Sequence, residues 1–194
     1  MISILIAGVG GQGTLLASKI LGVAALNKGM DVKVSEVHGM SQRGGSVVTY
    51  VRFGKEKIWS PIIDEGGADV LLAFEELEAA RSLTCLKPGG TVVVSTQRIN
   101  PATVTIGVAV YPENCVQMLR DAGANVIAAD AMALAKKAGN VRAVNIALIG
   151  TLAAACETGL TREDFERALT ELIPAQYLEV NLKAFELGYN YKDQ

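Results

Sequence analysis

One short stretch, residues 35–46, holds the chain's only histidine, His38, with Ser41, Gln42, Arg43 and the glycines Gly39, Gly44 and Gly45. A guanidinium beside glycine amides can grip a phosphate or a carboxylate. The planar fork donates two parallel hydrogen bonds, and glycine lets the backbone come close. The competing role for Arg43 is an ion pair with Glu36 or Asp64. For His38 it is a hydrogen bond to a backbone carbonyl. A second histidine is absent and no cysteine lies nearby, so neither a metal site nor a Cys–His pair forms around His38. Ser41 lies outside any Gly-x-Ser-x-Gly turn, so no Ser-His-Asp triad can be assembled on it. The acidic run Asp64-Glu65-Gly66-Gly67 lacks metal-ligand spacing and reads as a solvated turn. No complete catalytic set is visible, which points to a subunit.

A second glycine cluster, Gly8-Val9-Gly10-Gly11-Gln12-Gly13, fits the dinucleotide fingerprint G-x-G-x-x-G. Its physical use is close backbone approach to a phosphate that sits on the free amides of a helix N-terminus. The fingerprint also wants an acid near the end of the next strand, and Glu36 lies 23 residues after Gly13. Against nicotinamide or flavin binding, Glu36 leads into a polar glycine-rich loop and not into another helix. A plain strand-to-helix turn uses the same glycines. Gly10, Gly11, Gln12 and Gly13, with His38, Ser41, Gln42, Arg43, Gly44 and Gly45, form the candidate binding set. No residue is assigned as catalytic and none as a metal ligand.

These loops need strands and helices to hold them. Residues 2–7 are a continuous apolar run, as in a strand buried on both faces. Residues 14–28 show helical spacing and end at Gly29, a natural C-cap. Residues 32–37 read as the next strand, completing a parallel βαβ opening with both glycine loops at neighbouring strand ends. Residues 46–53 alternate, residues 54–57 suggest a hairpin turn, and Ile58-Trp59-Ser60 suggests a returning strand. Strands are also expected over 68–74, 91–95, 104–110 and 125–129, with helices over 75–86 and 112–122. From residue 131 the pattern is helical: 131–138, 144–158, 161–172 and 175–187, the third opening on a capping box at Thr161. The expected fold is one α/β domain over residues 1–194. It has a Rossmann-like, mostly parallel sheet, a β-hairpin insertion and a helical last third.

Composition narrows the function. The net charge is −2 with scattered basic residues, and aromatics are 5%, which does not suit a nucleic-acid binder. Cys85, Cys115 and Cys156 are far apart and form no C-x-x-C, so neither an iron–sulfur cluster nor a thiolate zinc site is expected here. Reduced thiols in a cytoplasmic protein are the expectation. No export signal is seen, and the longest uncharged apolar stretch, 143–156, is too short to span a bilayer. Half the residues are apolar, more than one small domain hides, so homo-oligomers are expected of the isolated chain.

Residues 4–13 together with Ser35-Glu36-Val37-His38-Gly39-Met40-Ser41-Gln42-Arg43-Gly44-Gly45-Ser46-Val47 resemble the gamma domain of 2-oxoacid:ferredoxin oxidoreductases. The loop with His38 and Arg43 looks most like the small (beta) subunit of the indolepyruvate branch. Ser60-Pro61, residues 68–75, residues 87–91 and residues 182–188 extend the likeness over nearly the whole chain. The resemblance implies an accessory subunit of an enzyme that oxidatively decarboxylates a 2-oxoacid, makes an acyl-CoA and passes electrons to ferredoxin. It implies that thiamin diphosphate, magnesium and [4Fe-4S] clusters sit on a larger partner subunit. The two glycine loops would then receive coenzyme A phosphates or dock the partner. A stand-alone dinucleotide-binding reductase or ligand sensor is the other reading.

Overall fold

The computed structural model describes residues 1–38 and 44–192, the side chain of His38 excepted. Six strands form one sheet in the order β2-β3-β1-β4-β5-β6. They are β1 (Ile2–Val9), β2 (Asp31–His38), β3 (Ser46–Gly54), β4 (Ala68–Ala73), β5 (Leu86–Ser95) and β6 (Asn125–Ala129). Strands β1, β4, β5 and β6 run parallel to one another, whereas β3 pairs antiparallel with both β1 and β2. The hairpin insertion is therefore β2–β3, with the glycine loop at its tip.

This changes three expectations. β1 and β2 are not neighbours, because β3 fills the place between them. Residues 58–60 form no strand, since both edges of β3 are already paired. Instead Ile58 N–H donates to Asp31 Oδ2 (2.6 Å), and the Arg52 guanidinium holds the carbonyls of Ser60 and Ile62 (both 2.9 Å). Residues 104–110 are not a strand either: both edges of β5 are taken by β4 and β6, and the segment turns back to bond Thr103 O and Val104 O. Lys87 to Gly90 bulge out of β5, where the register with β4 shifts.

Helix α1 (Thr14–Asn27) crosses one face of the sheet, joined there by α5 (Ala131–Ala138), α6 (Val144–Ala155), α7 (Arg162–Leu172) and α8 (Ala175–Tyr189). This layer is the main core, with Phe53, Phe74, Phe165 and Phe185 fully buried. α6 is apolar on all sides, so packing buries it almost completely. Thr161 caps α7 in a reciprocal capping box with Asp164. The opposite face is thinner. There α2 (Glu76–Arg81) and α4 (Cys115–Asp121) cover β4, β5 and β6 around Leu5, Leu71, Val92, Val94 and Leu119. A single helical turn, α3 (Ala102–Thr105), interrupts the long β5–α4 connection.

Candidate functional site

The parallel strands all end on one side, the usual place for ligands in open α/β sheets. The turn after β1 is built on positive-φ glycines, Gly11 (φ 99°) and Gly13 (φ 82°). A side chain at Gly13 would be strained there, and its Cβ would lie 2.5 Å from Asn145 Nδ2. Gly13 is also the N-cap of α1 and brings no side-chain acceptor, so the first helical amides face outward without a cap.

Gln12 has an inward task. Its Oε1 accepts from Val9 N–H (2.7 Å), and its Nε2 donates to Phe74 O (2.9 Å) and Gln97 Oε1 (3.2 Å). The side chain thus ties together the ends of β1, β4 and β5. If a ligand sits here, Gln12 offers it backbone while its amide is occupied.

The second loop is joined to the first. Gly10 N–H donates to Gly45 O (2.9 Å) and Gly44 N–H to Gly10 O (3.5 Å). The loops meet because antiparallel β3 starts beside the end of β1, pairing Val9 with Ser46. They meet as expected, but by a different route. Ser46 Oγ is anchored on the buried carboxylate of Glu78, which also binds Arg81 (2.6 Å). The backbone of His38 pairs with Val47 at the end of β2. The side chain of His38 and all of Ser41, Gln42 and Arg43 lie outside the described residues.

Glu36 does not reach the first glycine turn as a dinucleotide fingerprint requires. It pairs with Thr49, which in turn pairs with Ile6, so a whole strand separates Glu36 from β1. Two strand spacings are about 10 Å. The ribose-binding acid is therefore out of place.

Gly11, Gln12, Gly13, Gln97, Met132, Val141, Arg142 and Asn145 surround an opening of about 400 Å³ at the α1 N-terminus. Asn145 Nδ2 donates to Gly13 O (3.3 Å) and fixes the turn against α6. Arg142, just before α6, supplies the described cation of this opening. Sequence reasoning missed Gln97, Arg142 and Asn145. The available signal was Asn145, a polar residue in an otherwise apolar helix.

No nucleophile is activated among the described groups whose acidity shifts. Burial pushes the Cys156 thiol up to about 12. Burial, then Glu76 and Glu75, raise that of Cys115. Raised thiols stay protonated at neutral pH and make poor nucleophiles or ligands. Among the described residues no three His, Cys, Asp or Glu side chains are grouped to hold a metal ion. No helix is long and apolar enough to cross a membrane among them. The arrangement can bind an anion and present a loop. Among the described residues no complete machinery for bond breaking is brought together.

Comparison with known proteins gives this arrangement its context. Residues 3–191 match the family model of the pyruvate ferredoxin/flavodoxin oxidoreductases. The chain belongs to that family. It is 44% identical to the indolepyruvate oxidoreductase subunit IorB of Thermococcus kodakarensis, over 96% of this chain and 93% of the relative. It is 29% identical to the ketoisovalerate oxidoreductase subunit VorA of Methanothermobacter marburgensis, over 96% of this chain but 35% of that longer one. Among solved structures, the keto/oxoacid ferredoxin oxidoreductase gamma subunit of Geobacter sulfurreducens superimposes with a TM-score of 0.73 at 26% identity. That match covers 97% of this chain and 96% of the other. The relatives named here are subunits of oxidoreductases.

Proposed function

We propose that this chain is the small, accessory subunit of an indolepyruvate-type 2-oxoacid:ferredoxin oxidoreductase of the cytoplasm. The observation that carries the reading is the identity with the Thermococcus IorB subunit along nearly the whole of both chains. In this reading the larger subunit holds thiamin diphosphate, magnesium and [4Fe-4S] clusters. The complex oxidatively decarboxylates an aryl pyruvate to its acyl-CoA, and ferredoxin takes the electrons. Three free, mutually distant cysteines in this chain support placing the clusters elsewhere.

The small subunit contributes the strand-end surface. Uncapped amides of α1, Arg142 and the loop carrying Ser41, Gln42 and Arg43 would meet either the phosphates of coenzyme A or the partner.

Replacing Arg43 by Ala decides between these uses. A substitution in a polar, glycine-flanked loop away from the core typically shifts stability by about 0.5 kcal/mol, so folding is expected to be kept. A charge-assisted contact is worth roughly 1.5–3 kcal/mol, so turnover of the reconstituted enzyme falls on the order of tenfold to a hundredfold. Arg43→Lys recovers part of it, since lysine lacks the bidentate fork. Steady-state kinetics with the larger subunit present are run first against CoA, then against the small subunit. A raised CoA requirement assigns the loop to CoA, and a raised need for small subunit assigns it to docking. Wild-type behaviour in both titrations removes Arg43 from the functional site. Failure of the wild-type chain to support turnover with any larger subunit overturns the subunit reading itself.

A further inference from the structure

The segment 104–110 has the sequence of a strand and does not serve as one. Val104, Ile106, Val108 and Val110 alternate with small residues, and no charged residue occurs between Arg98 and Glu113. In the fold this segment is a knob at the C-terminal end of the sheet. Ile106, Val108 and Val110 are 72%, 74% and 89% exposed. Soluble monomers rarely show contiguous apolar surface of this kind without a use for it.

The knob is built to hold its shape. It is closed on itself, with Val108 N–H and Ala109 N–H both donating to Thr103 O (2.8 and 3.0 Å) and Gly107 N–H to Val104 O (3.0 Å). One buried carboxylate pins both ends of its base. Glu75 Oε1 accepts from Ile99 N–H (3.1 Å) on the way in and from the Tyr111 hydroxyl on the way out. Glu75 Oε2 caps α2 through Glu78 N–H (2.9 Å). Beside it Arg98 bridges Glu76 (2.9 Å) and the Glu113 carbonyl (2.7 Å). Burying a carboxylate is costly, and this one orders a loop whose apolar tips face away from the core.

We infer that the 102–111 knob docks into an uncharged apolar hollow of the larger subunit. This rests on the subunit reading above. Three observations commit it to that partner. The knob begins five residues after Gln97, which lines the α1 opening and bonds Gln12, so a protein seated on it borders the candidate site. In the Methanothermobacter relative the matching module is about a third of a longer chain, so there it is covalently joined to a larger polypeptide, which favours a larger partner over a second copy. The uncharged β-branched tips suit an apolar hollow, and none of the six strands of this sheet pairs with them. Preordering the knob lowers the entropy lost on docking.

The test is co-expression with the larger subunit, affinity purification and measurement of the assembly constant. Val108→Asp combined with Ile106→Asp weakens assembly at least tenfold while the thermal melt stays at the wild-type position. Trp59→Ser, an exposed apolar change at the opposite end of the sheet, leaves assembly intact. In the wild-type complex, amide exchange over residues 103–110 slows. Unchanged assembly in the double variant overturns the docking surface and leaves the subunit reading standing. Loss of assembly only in Trp59→Ser does the same. A double variant that assembles normally but turns an oligomeric isolated chain into a monomer assigns the knob to a second copy and overturns the partner. If the wild-type chain assembles with no larger subunit, both proposals fall. Should the double variant melt early, Val110→Ser alone gives the same reading.

Discussion

On one face of the sheet α6 and α8 touch backbone to backbone, whereas on the other α2 is laid over three buried glutamates. Gly150 and Gly188 make the first contact possible, since a Cβ on either would overlap the main chain of the facing helix. Thr151 Oγ1 lies within hydrogen-bond distance of Gly188 O across the pair and of Ala147 O in its own helix (both 3.3 Å). The face is otherwise apolar and contributes stability by burial. On the thin face Glu75, Glu76 and Glu78 are buried and fully engaged with Tyr111, Arg98, Arg81, Ser46 and backbone amides. Replacing a buried ion pair whole by apolar side chains is often neutral for stability, so net stability is not the main use of these pairs. What the carboxylates supply is fixed position for the loops at the strand ends. One face holds the domain together, and the other holds the strand-end loops in place.

The comparison breaks most visibly at Gly188. Gly188→Ala pushes a methyl group into the Ala147 carbonyl, and neither backbone can yield without separating the helices. Overpacking of this kind costs about 3 kcal/mol or more. For a chain of this size that lowers Tm by roughly 6–12 °C. Scanning calorimetry of the variant checks it. A melt at the wild-type temperature would mean that the α6–α8 contact does not limit stability.

Glu75 tests the other face. Glu75→Ala leaves Ile99 N–H, Glu78 N–H and the Tyr111 hydroxyl without their acceptor. Unsatisfied buried donors make this cost about 2–3 kcal/mol. Glu75→Gln keeps the shape and one acceptor, and costs roughly half as much. The distinguishing readout is local. Amide exchange rises over residues 99–111 in Glu75→Ala while the α8 amides keep wild-type protection. A uniform rise along the chain would show that Glu75 stabilises globally and that the division between the faces is not real.

How much of this could be read from the sequence follows the same division. The apolar runs of β1, β4 and β6, the helix α1 and the capping box at Thr161 are local signals, and the structure has them close to where the pattern placed them, α1 ending at Asn27 with Lys28 as its C-cap and Gly29 just beyond. Strand order is not local. The placement of β3 between β1 and β2 separated Glu36 from the glycine turn, and nothing in the spacing of Gly13 and Glu36 could reveal it. The two false strands, 58–60 and 104–110, failed for one reason: a β-pattern needs a free edge, and the sheet had none to offer next to β3 or β5. Gln97, Arg142 and Asn145 reach the glycine turn only through long-range packing. Glu75 was even harder to find, because a glutamate in Phe-Glu-Glu-Leu-Glu reads as helix surface until Ile99 and Tyr111 close over it.

The smallest expected effect lies at the rim of the thick face, where charge is exposed and not buried. Asp164 joins α7 to α1 through Lys28 (2.6 Å) and accepts from Thr161 N–H (2.7 Å) in the capping box. Partial burial pushes its carboxyl up. The Lys28 ammonium and the Thr161 backbone and hydroxyl outweigh that, leaving it below its ordinary value of 3.8. A carboxyl whose folded value lies below its unfolded one adds stability at pH above the unfolded value. That contribution is lost as pH falls through the folded value. Asp164→Asn therefore lowers stability at pH 7 by about 1 kcal/mol or less, since half-exposed pairs and caps are worth no more. In Tm this is roughly 1–3 °C. The neighbouring Glu163 also titrates low, through the backbone amide of its own residue and the Thr161 hydroxyl. Subtracting the variant's melting curve from that of the wild type at each pH cancels its share. The difference should be flat from pH 8 to about 5 and close toward zero below the ordinary carboxylate value of 3.8. A difference that persists unchanged at pH 2 would mean that Asp164 acts through its shape and hydrogen bonds alone. The rim charge would then contribute nothing to the face it closes.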